Sequence, residues 1–273
     1  MNDEQRNPNN IIILHPDTEK LKDDVAKLRI ELSMLLLERD NLLYQECKNI
    51  EMAYILSIGG LEYKAYEIEC AVLRLKRKIE LIQARKNRQE KVVLSEIDSI
   101  LDEEFAAYQE KLAAQIDKMN AALTRSKGDV LSDEESRELK RLYRSIVKAL
   151  HPDLHPDLSS EKMQLFYHAV EAYERGDLDA LLAIGAMVSD PTLPNEPTEG
   201  LIGLRKEKER LLRLVQDVNN RITEIKSDYP YCVKSLIQNP AQIAQRKAEL
   251  ESEIKQLQEI LAAYEVRLEE ILR

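Results

Sequence analysis

The chain has 273 residues, which is enough for one or two domains; 33% of them are charged and only 5% are aromatic. So few aromatic side chains cannot fill a large globular core, and the composition favours long helices that bury a narrow seam. The formal net charge of −10, from 40 basic and 50 acidic residues, excludes a general nucleic-acid coat, because such a surface needs an excess of cations.

The first residues and the cysteines predict a soluble, cytoplasmic protein. Residues 1–10 are polar and lack the basic and apolar regions of a signal peptide. No run of about 18 apolar residues occurs, so we expect no membrane partner. Cys47, Cys70 and Cys232 form no CxxC pair, which indicates reduced thiols, and Cys70 lies in an apolar stripe where burial is its expected role.

Helical spacing of apolar residues dominates the first half of the chain. After a flexible N-terminus, 1–17, we predict a coiled-coil helical region over 18–128, with a phase shift near Leu36. Gly59-Gly60 interrupts the apolar pattern and predicts a hairpin turn or a helix C-cap. Beyond the glycines, apolar residues step by four and three without a break, which is a heptad seam: Leu61, Ala65, Ile68, Val72, Leu75, Ile79 and Ile82.

The C-terminal third, 201–273, carries two further seams, one from Leu211 to Ile225 and one from Leu250 to Ile271. The short break between them favours an antiparallel helical coiled coil, and an open parallel dimer is the competing interpretation. Residues 189–200 contain three prolines and predict a linker, so cleavage there should release the C-terminal pair. No strand pattern occurs anywhere in the sequence, and the predicted fold is all-α.

A compact module is predicted over 129–188. Ser132 and Glu135 form a capping-box pattern that begins a helix, and this helix must end before Pro152. One side of the helix is basic, and we call it the basic face: Arg137, Lys140, Arg141, Arg144 and Lys148. The opposite side is apolar: Leu139, Tyr143, Ile146 and Leu150. Because no acidic residue occurs between Leu139 and Leu150, we expect the basic face to be unpaired, which makes it a candidate docking surface; the alternative is an ordinary solvated face.

A second helix follows after a turn. Ser159 or Ser160 can cap its start, and Gly176 is expected to end it. Its inward side chains are predicted to be Met163, Phe166, Val170 and Tyr173. Asp177 can cap a short third helix over 178–188. Two antiparallel helices joined by a tight loop therefore form the expected core of the module.

The tripeptide His-Pro-Asp occurs three times, at 15–17, 151–153 and 155–157. The first copy is explained by a helix that begins there, with Pro16 and Asp17 in its first positions. The third copy extends the loop that follows the second. Only the second ends a basic helix. The alternation of His and Asp from 151 to 157 raises the possibility of a metal site, but the prolines prevent the helix that would converge these ligands. We predict no metal or other cofactor, and we interpret His168 as a surface residue.

The module resembles a J-domain, the unit through which J-proteins engage DnaK-type chaperones. The resemblance rests on Tyr143 and Ile146 before His151-Pro152-Asp153, and on Phe166 and the Glu-Ala-Tyr of 171–173 after it. It covers roughly residues 132–176, about a sixth of the chain. The short first helix of a J-domain has no counterpart directly before Ser132. The helical stretch Leu112–Leu123 or the 178–188 helix is expected to fill its place.

The resemblance implies a co-chaperone of the coiled-coil-containing bacterial type that stimulates ATP hydrolysis by a DnaK-type chaperone. The residues expected to bind that partner are His151, Pro152, Asp153, Arg137, Lys140, Arg141, Arg144 and Lys148. Asp153 would bind a partner arginine, and the coiled coils would hold a client protein, a scaffold or a second copy. The chain is not expected to be an enzyme, because no phosphate loop or activated nucleophile is present. The rival hypotheses are a structural coiled-coil scaffold without chaperone activity and an adaptor in a multi-protein bacterial system.

Overall fold

The computed structural model describes residues 16–127, 131–188 and 201–273, with side chains from residue 18 onward. These residues are helical and contain no strand, which confirms the all-α class. His15, the rest of the predicted N-terminal segment up to that residue, and the predicted linker 189–200 lie outside the described residues. The helices are α1 Pro16–Asn41, α2 Cys47–Tyr54, α3 Gly60–Asn87, α4 Leu94–Glu104, α5 Ala106–Ser126, α6 Asp133–Leu150, α7 Ser160–Arg175, α8 Leu178–Val188, α9 Leu201–Ser227, α10 Lys234–Ile237 and α11 Pro240–Leu272. None of these helices is long and apolar enough to cross a membrane.

The described chain divides into two compact units. The first unit contains 16–45, 131–188 and 201–227, and the second contains 46–127 and 228–273. Each unit is thus assembled from segments that are far apart in sequence. The predicted module 129–188 is accordingly not a separate body, because α6, α7 and α8 belong to the same unit as α1 and α9.

In the first unit, α9 lies along α1 and runs parallel to it. Lys208 bonds Asp24 at 2.7 Å near the start of both helices, and Lys226 bonds Glu38 at 2.7 Å further along. The apolar seams of both helices are buried: Val25, Leu32 and Leu36 on α1, and Leu204, Leu211, Val218, Ile222 and Ile225 on α9. Helices α6, α7 and α8 pack against one another, and α6 also packs on α1.

In the second unit, α11 lies along α3, again in parallel. Arg246 approaches Glu62 to 3.8 Å, and the Lys86 ammonium bonds the carbonyl of Ile271. One cluster between the two helices contains Ala65, Ile68, Val72 and Ile254. Helix α4 folds back on α3 and is antiparallel to it. Lys78 pairs with Asp98 and Arg85 pairs with Glu96, both at 2.7 Å, so residue numbers rise along α3 as they fall along α4. Cys70 is buried here, as predicted.

The predicted antiparallel pairing of the two C-terminal helices is wrong. Helix α9 packs on α1, and α11 packs on α3, so each buries its seam against a helix from the N-terminal half. The physical reason is that a heptad seam specifies which face of a helix is buried but does not specify the partner helix. The short break between the two seams suggested the wrong neighbour.

The predicted hairpin or C-cap at Gly59-Gly60 is also wrong. Gly59 has φ −54° and ψ −33°, and Gly60 has φ −65° and ψ −35°, which are right-handed helical values. The chain instead forms π-helical turns at Leu42–Glu46 and Ile55–Gly59. Since a π turn contains one residue more than an α turn, it changes which residues face the seam.

The pairing of α9 with α1 and of α11 with α3 predicts that cleavage between 188 and 201 leaves the two fragments associated. A specific protease site placed within 189–200 and cut under native conditions should give a single peak by size-exclusion chromatography, because both seams stay buried across the cut. Separate elution of a helical C-terminal fragment would contradict the pairing.

Replacing glycine by alanine is expected to change the stability of the protein in opposite directions at Gly60 and at Gly176. Gly60 is exposed and helical, and a Cβ placed on it meets nothing within 4 Å. Gly60→Ala should therefore stabilise the protein by roughly 1 kcal/mol. Gly176 has φ +74°, and its Cβ would lie 3.3 Å from Leu131 Cδ1. Gly176→Ala should destabilise by about 1 kcal/mol or more. Thermal unfolding followed by circular dichroism should show shifts of opposite sign.

Candidate partner-binding site

Helix α6 is defined at both ends by its sequence. Ser132 Oγ accepts the Glu135 amide at 3.2 Å, while a Glu135 carboxylate oxygen accepts the Ser132 amide at 2.8 Å, which confirms the predicted capping box. The Ser132 amide and the Ser132 hydroxyl both donate to the Glu135 carboxylate at 2.8 Å, and these two bonds lower the pKa of Glu135. The helix ends at Leu150, where His151 adopts an extended conformation ahead of Pro152. The ends of α6 thus fix where its two faces point.

The two faces of α6 lie where the spacing predicts. Leu139, Tyr143, Ile146 and Leu150 are buried, and all five residues of the basic face are exposed. Arg141 is paired with Glu138, with Arg141 Nε 2.8 Å from the carboxylate, so the expectation that the whole face is unpaired is wrong at this residue. The pairing acid stands one position before the acid-free stretch. In the described part of the chain no ion pair involves the other four: Arg137, Lys140, Arg144 and Lys148.

The loop that joins α6 to α7 contains residues 151–159, and we call it the HPD loop. His151 Nδ1 accepts the Asp153 amide at 3.0 Å, and the His151 carbonyl accepts the amides of Leu154 at 3.0 Å and His155 at 2.9 Å. Leu154 is buried beneath the loop. Ser159 then caps α7, its Oγ accepting the Lys162 amide at 3.5 Å. The loop is therefore held by its own side chains and amides.

The imidazole of His151 lies inside the unit, only 5% exposed. Its ring meets Phe166 edge-on, with 5.0 Å between ring centroids. Nδ1 of the ring accepts the Asp153 amide, and Nε2 lies 3.4 Å from Arg39 Nη2. Burial, and then the Arg39 charge, lower the pKa of His151 from 6.5 to about 4. His151 is therefore neutral near pH 7.

The other histidines of this region have separate contacts. His155 is exposed and its Nε2 donates to the Lys148 carbonyl at 2.7 Å, one of the carbonyls left open at the end of α6. His168 is exposed on α7, as predicted. Across 18–127, 131–188 and 201–273, no group of three or more His, Cys, Asp or Glu side chains could hold a metal ion.

A buried polar contact joins α6 to α1. The Tyr143 hydroxyl donates to Asp40 Oδ2 at 2.7 Å, and Arg39 Nε donates to Asp40 Oδ1 at 2.8 Å. Asp40 is only 1% exposed. Tyr143 stacks on Tyr173, with 4.1 Å between ring centroids. Burial and the Asp40 charge raise the pKa of Tyr143, and the same causes raise the pKa of Tyr173 to about 12.

Helix α1 thereby occupies one side of α6 and α8 occupies another. Helix α8 packs on α6 and α7, and Asp177 caps it by accepting the Ala180 amide at 2.9 Å. That α8 takes the place of the first helix of a J-domain stays a prediction. Leu112–Leu123 belongs to α5 in the second unit. Sequence reasoning missed α1. The signal in the sequence that could have indicated this contact was Asp40. Its carboxylate lies four residues after Leu36 in an apolar seam, and a carboxylate buried there needs a polar partner from another helix.

Helix α9 reaches the HPD loop through Arg210. Arg210 Nη1 donates to the Asp153 carbonyl at 2.7 Å, while its Nε and Nη2 donate to Glu207 at 2.8 Å and 2.9 Å. Glu207 also pairs with Arg29 of α1 at 3.3 Å. The sequence offered no signal for this contact, because 57 residues separate Arg210 from Asp153.

An apolar groove of about 650 Å³ lies between α1 and α6. Ile30 and Met34 line it and are 54% and 53% exposed. Lys140 and Arg144 of the basic face form part of its wall. The groove therefore places apolar surface directly beside two of the cations that make no ion pair.

The comparisons with known proteins give no family for this chain: no protein-family model, no curated protein and no solved structure matches it.

The buried, neutral His151 predicts a loss of stability at mildly acidic pH. In the unfolded chain this histidine takes up a proton near pH 6.5, whereas in the folded chain it does so only near pH 4. The free energy of unfolding should therefore fall as the pH drops from about 6.5 to about 4, by up to about 3 kcal/mol for this residue. Denaturant unfolding at pH 7 and pH 4.5 measures the change.

His151→Gln should remove this part of the pH dependence, because glutamine does not titrate. His155→Gln, at an exposed imidazole in the same loop, is the matched control. An equally steep loss of stability in wild type and His151→Gln would show that another group causes it.

Proposed function

We propose that this protein is a J-domain-type co-chaperone: it binds a DnaK-type chaperone through the basic face and the HPD loop and stimulates its ATP hydrolysis. In this proposal the chain is a binding module and not itself an enzyme, and it acts in the cytoplasm. The observation that carries the proposal is the position of the loop at the end of an exposed row of cations. Arg137, Lys140, Arg144 and Lys148 lie along α6, and the helix ends at His151.

The charges favour a partner with an acidic surface. Four exposed cations without an ion pair give a local positive field in a chain whose net charge is −10. Such a field speeds encounter and sets orientation more than it adds affinity. The adjacent groove between α1 and α6 offers apolar area beside Lys140 and Arg144, so the partner can bury apolar side chains next to its acidic groups.

The three residues of the tripeptide take different parts in the proposal. Because His151 is buried, its contribution is to hold the loop by accepting the Asp153 amide. Pro152 restricts the backbone at that point. The Asp153 side chain is 38% exposed and is the group of the three best placed to bond an arginine of the partner.

The helices outside the module supply its support and a second surface. Tyr143 is tied to α1 through Asp40, so α1 supports α6 within the first unit. The helical pairs α1–α9 and α3–α11 are available to hold a client protein or a second copy of the chain. The scaffold without chaperone activity remains the competing function, since the same packing serves it.

Single-turnover ATP hydrolysis by a DnaK-type chaperone from the same source tests the proposal. Wild type should accelerate hydrolysis, and His151→Gln should abolish the acceleration, because the loop loses the imidazole that packs on Phe166 and holds the Asp153 amide. His155→Gln and His15→Gln should keep most of it. Circular dichroism verifies that each variant remains helical.

The basic face has its own variant in the same assay. Lys140→Glu with Arg144→Glu should weaken stimulation by about tenfold at low salt and by less at high salt, since salt screens exposed charges. Arg213→Glu with Arg221→Glu, at exposed sites on α9, is the charge-matched control.

Two outcomes would contradict the proposal. No acceleration of hydrolysis by wild type would favour the scaffold function. Equal losses from His151→Gln and His155→Gln would mean that the wrong copy of the His-Pro-Asp tripeptide was chosen.

A further inference from the structure

Helix α1 carries apolar side chains on two opposite faces. One face, which includes Val25, Leu32 and Leu36, is buried in the first unit. Since successive residues of a helix turn by about 100°, Ile30 and Met34 each lie about 160° from Leu32 around the helix. The residues of this second face are spaced by three and four, as in a coiled coil, and we call it the outer seam: Lys27, Ile30, Met34, Leu37 and Asn41.

The outer seam is the floor of the groove between α1 and α6. Helices α9 and α6 pack on the other sides of α1, and about half of the Ile30 side chain and of the Met34 side chain is exposed. A helix with apolar residues on all sides normally has neighbours on all sides. The outer seam is therefore a surface that a further helix would cover.

Two segments next to the described helices of this unit are poorly suited to cover the outer seam. The chain from Ile11 to Pro16, which includes an apolar run, spans at most about 18 Å, whereas Ile30 lies about 21 Å along α1 from Pro16. Residues 189–200 contain one leucine and no other large aliphatic or aromatic side chain. Neither segment supplies the apolar residues of a helix that matches the seam.

The two flanks of the outer seam carry opposite charges. Helix α6 lies on one flank, where Tyr143 bonds Asp40 and where Lys140 and Arg144 line the groove. The other flank carries two carboxylates, Glu31 and Glu38, seven residues apart, which also line the groove. Glu38 bonds Lys226 of α9 at 2.7 Å, so this flank faces away from α6.

A second copy of the chain complements this surface in one orientation. If two α1 helices pack in parallel about a two-fold axis, the α6 flank of each copy meets the acidic flank of the other. Lys140 and Arg144 then approach Glu31 and Glu38 of the second copy. In an antiparallel two-fold pair the flanks of the same kind meet, and cations face cations, which is unfavourable. The charges therefore favour the parallel pair.

The ends of the outer seam also suit a parallel pair. Lys27 and Asn41 occupy the same heptad position as Met34, and each would lie beside its counterpart in the second copy. Polar side chains at such positions fix the register of parallel helix pairs, at some cost in stability. The apolar contacts between them come from Ile30, Met34 and Leu37.

We propose that the outer seam of α1 is the interface of a parallel homodimer, in which Glu31 and Glu38 of each copy face Lys140 and Arg144 of the other. Three apolar side chains per copy make a small interface, so we expect a reversible dimer with a Kd of roughly 1 to 10 μM. The dimer covers two cations of the basic face, and a DnaK-type chaperone should therefore bind the monomer. This last consequence rests on the proposed function, whereas the dimer does not.

Sedimentation of the full chain over a range of concentrations tests the interface. Met34→Glu leaves an exposed side chain in the monomer but brings two carboxylates together in the dimer, and it should raise the Kd about a hundredfold. Met187→Glu is the matched control, because Met187 is 68% exposed on α8 and does not line the groove. A wild type that stays monomeric up to about 100 μM, or a dimer that Met34→Glu does not weaken, overturns the proposal.

A disulfide tests the orientation. Lys27→Cys, made together with Cys232→Ser to remove the exposed native thiol, should form a covalent dimer on oxidation. In the parallel pair the two introduced thiols are neighbours, whereas in an antiparallel pair centred on Met34 they lie about 21 Å apart. Arg213→Cys, at an exposed site on α9, controls for random collision. A dimer in solution that Lys27→Cys does not cross-link overturns the parallel arrangement.

The cross-linked dimer also tests whether the dimer masks the basic face. After removal of the oxidant it should fail to accelerate single-turnover ATP hydrolysis by a DnaK-type chaperone, and reduction with dithiothreitol should restore the acceleration. Equal acceleration before and after reduction shows that the basic face stays accessible and overturns the masking. No acceleration by wild type or by the reduced variant rejects the proposed function and the masking with it, while sedimentation and cross-linking still decide the dimer.

Discussion

The carboxylate of Asp40 is buried in the first unit, and the arrangement of the candidate site depends on how its charge is accommodated. Arg39 supplies the opposite charge, and the Tyr143 hydroxyl supplies a hydrogen bond from α6. Without these partners a buried carboxylate would cost several kcal/mol. Because the same Arg39 faces His151, one pair of neighbouring residues on α1 sets both the position of α6 and the electrostatic environment of the HPD loop.

This dependence makes α1 part of the candidate site and not merely a neighbouring coiled coil. The stacked pair Tyr143–Tyr173 is closed on one side by α1, where Asn41 accepts the Tyr173 hydroxyl at 3.3 Å. Helix α9 completes the surroundings through Arg210. A loop that resembles a recognition element is thereby built into a larger helical unit: His151 and Leu154 are buried, Asp153 is partly exposed, and the fully exposed part of the loop is His155, Pro156, Asp157 and Ser159.

The local structure of the site could be predicted from the sequence, but its neighbours could not. The capping box at Ser132, the ends of α6 and α7, and the burial of Tyr143, Phe166 and Tyr173 follow from local spacing and were predicted. Met163 and Val170, also expected to point inward, are only partly buried. The choice of α1 as the partner of α9 depends on complementary seams and ion pairs between distant segments. No local sequence pattern specifies which helix pairs with α9, and the short break after α9 favoured pairing with α11, which is wrong.

The parallel pairing of α1 with α9 has a consequence for the newly made chain. Asp24 and its partner Lys208 are 184 residues apart, so a ribosome working at 5–20 residues per second needs roughly 10 to 40 s to make the second after the first. Throughout that interval the apolar stripe of α1 has no α9 to cover it, and both α6 and α7 are synthesised before α9 begins. The order of synthesis thus allows the hairpin of α6 and α7, which carries Tyr143, to pack on Asp40 before α9 is made, and α9 joins the unit last.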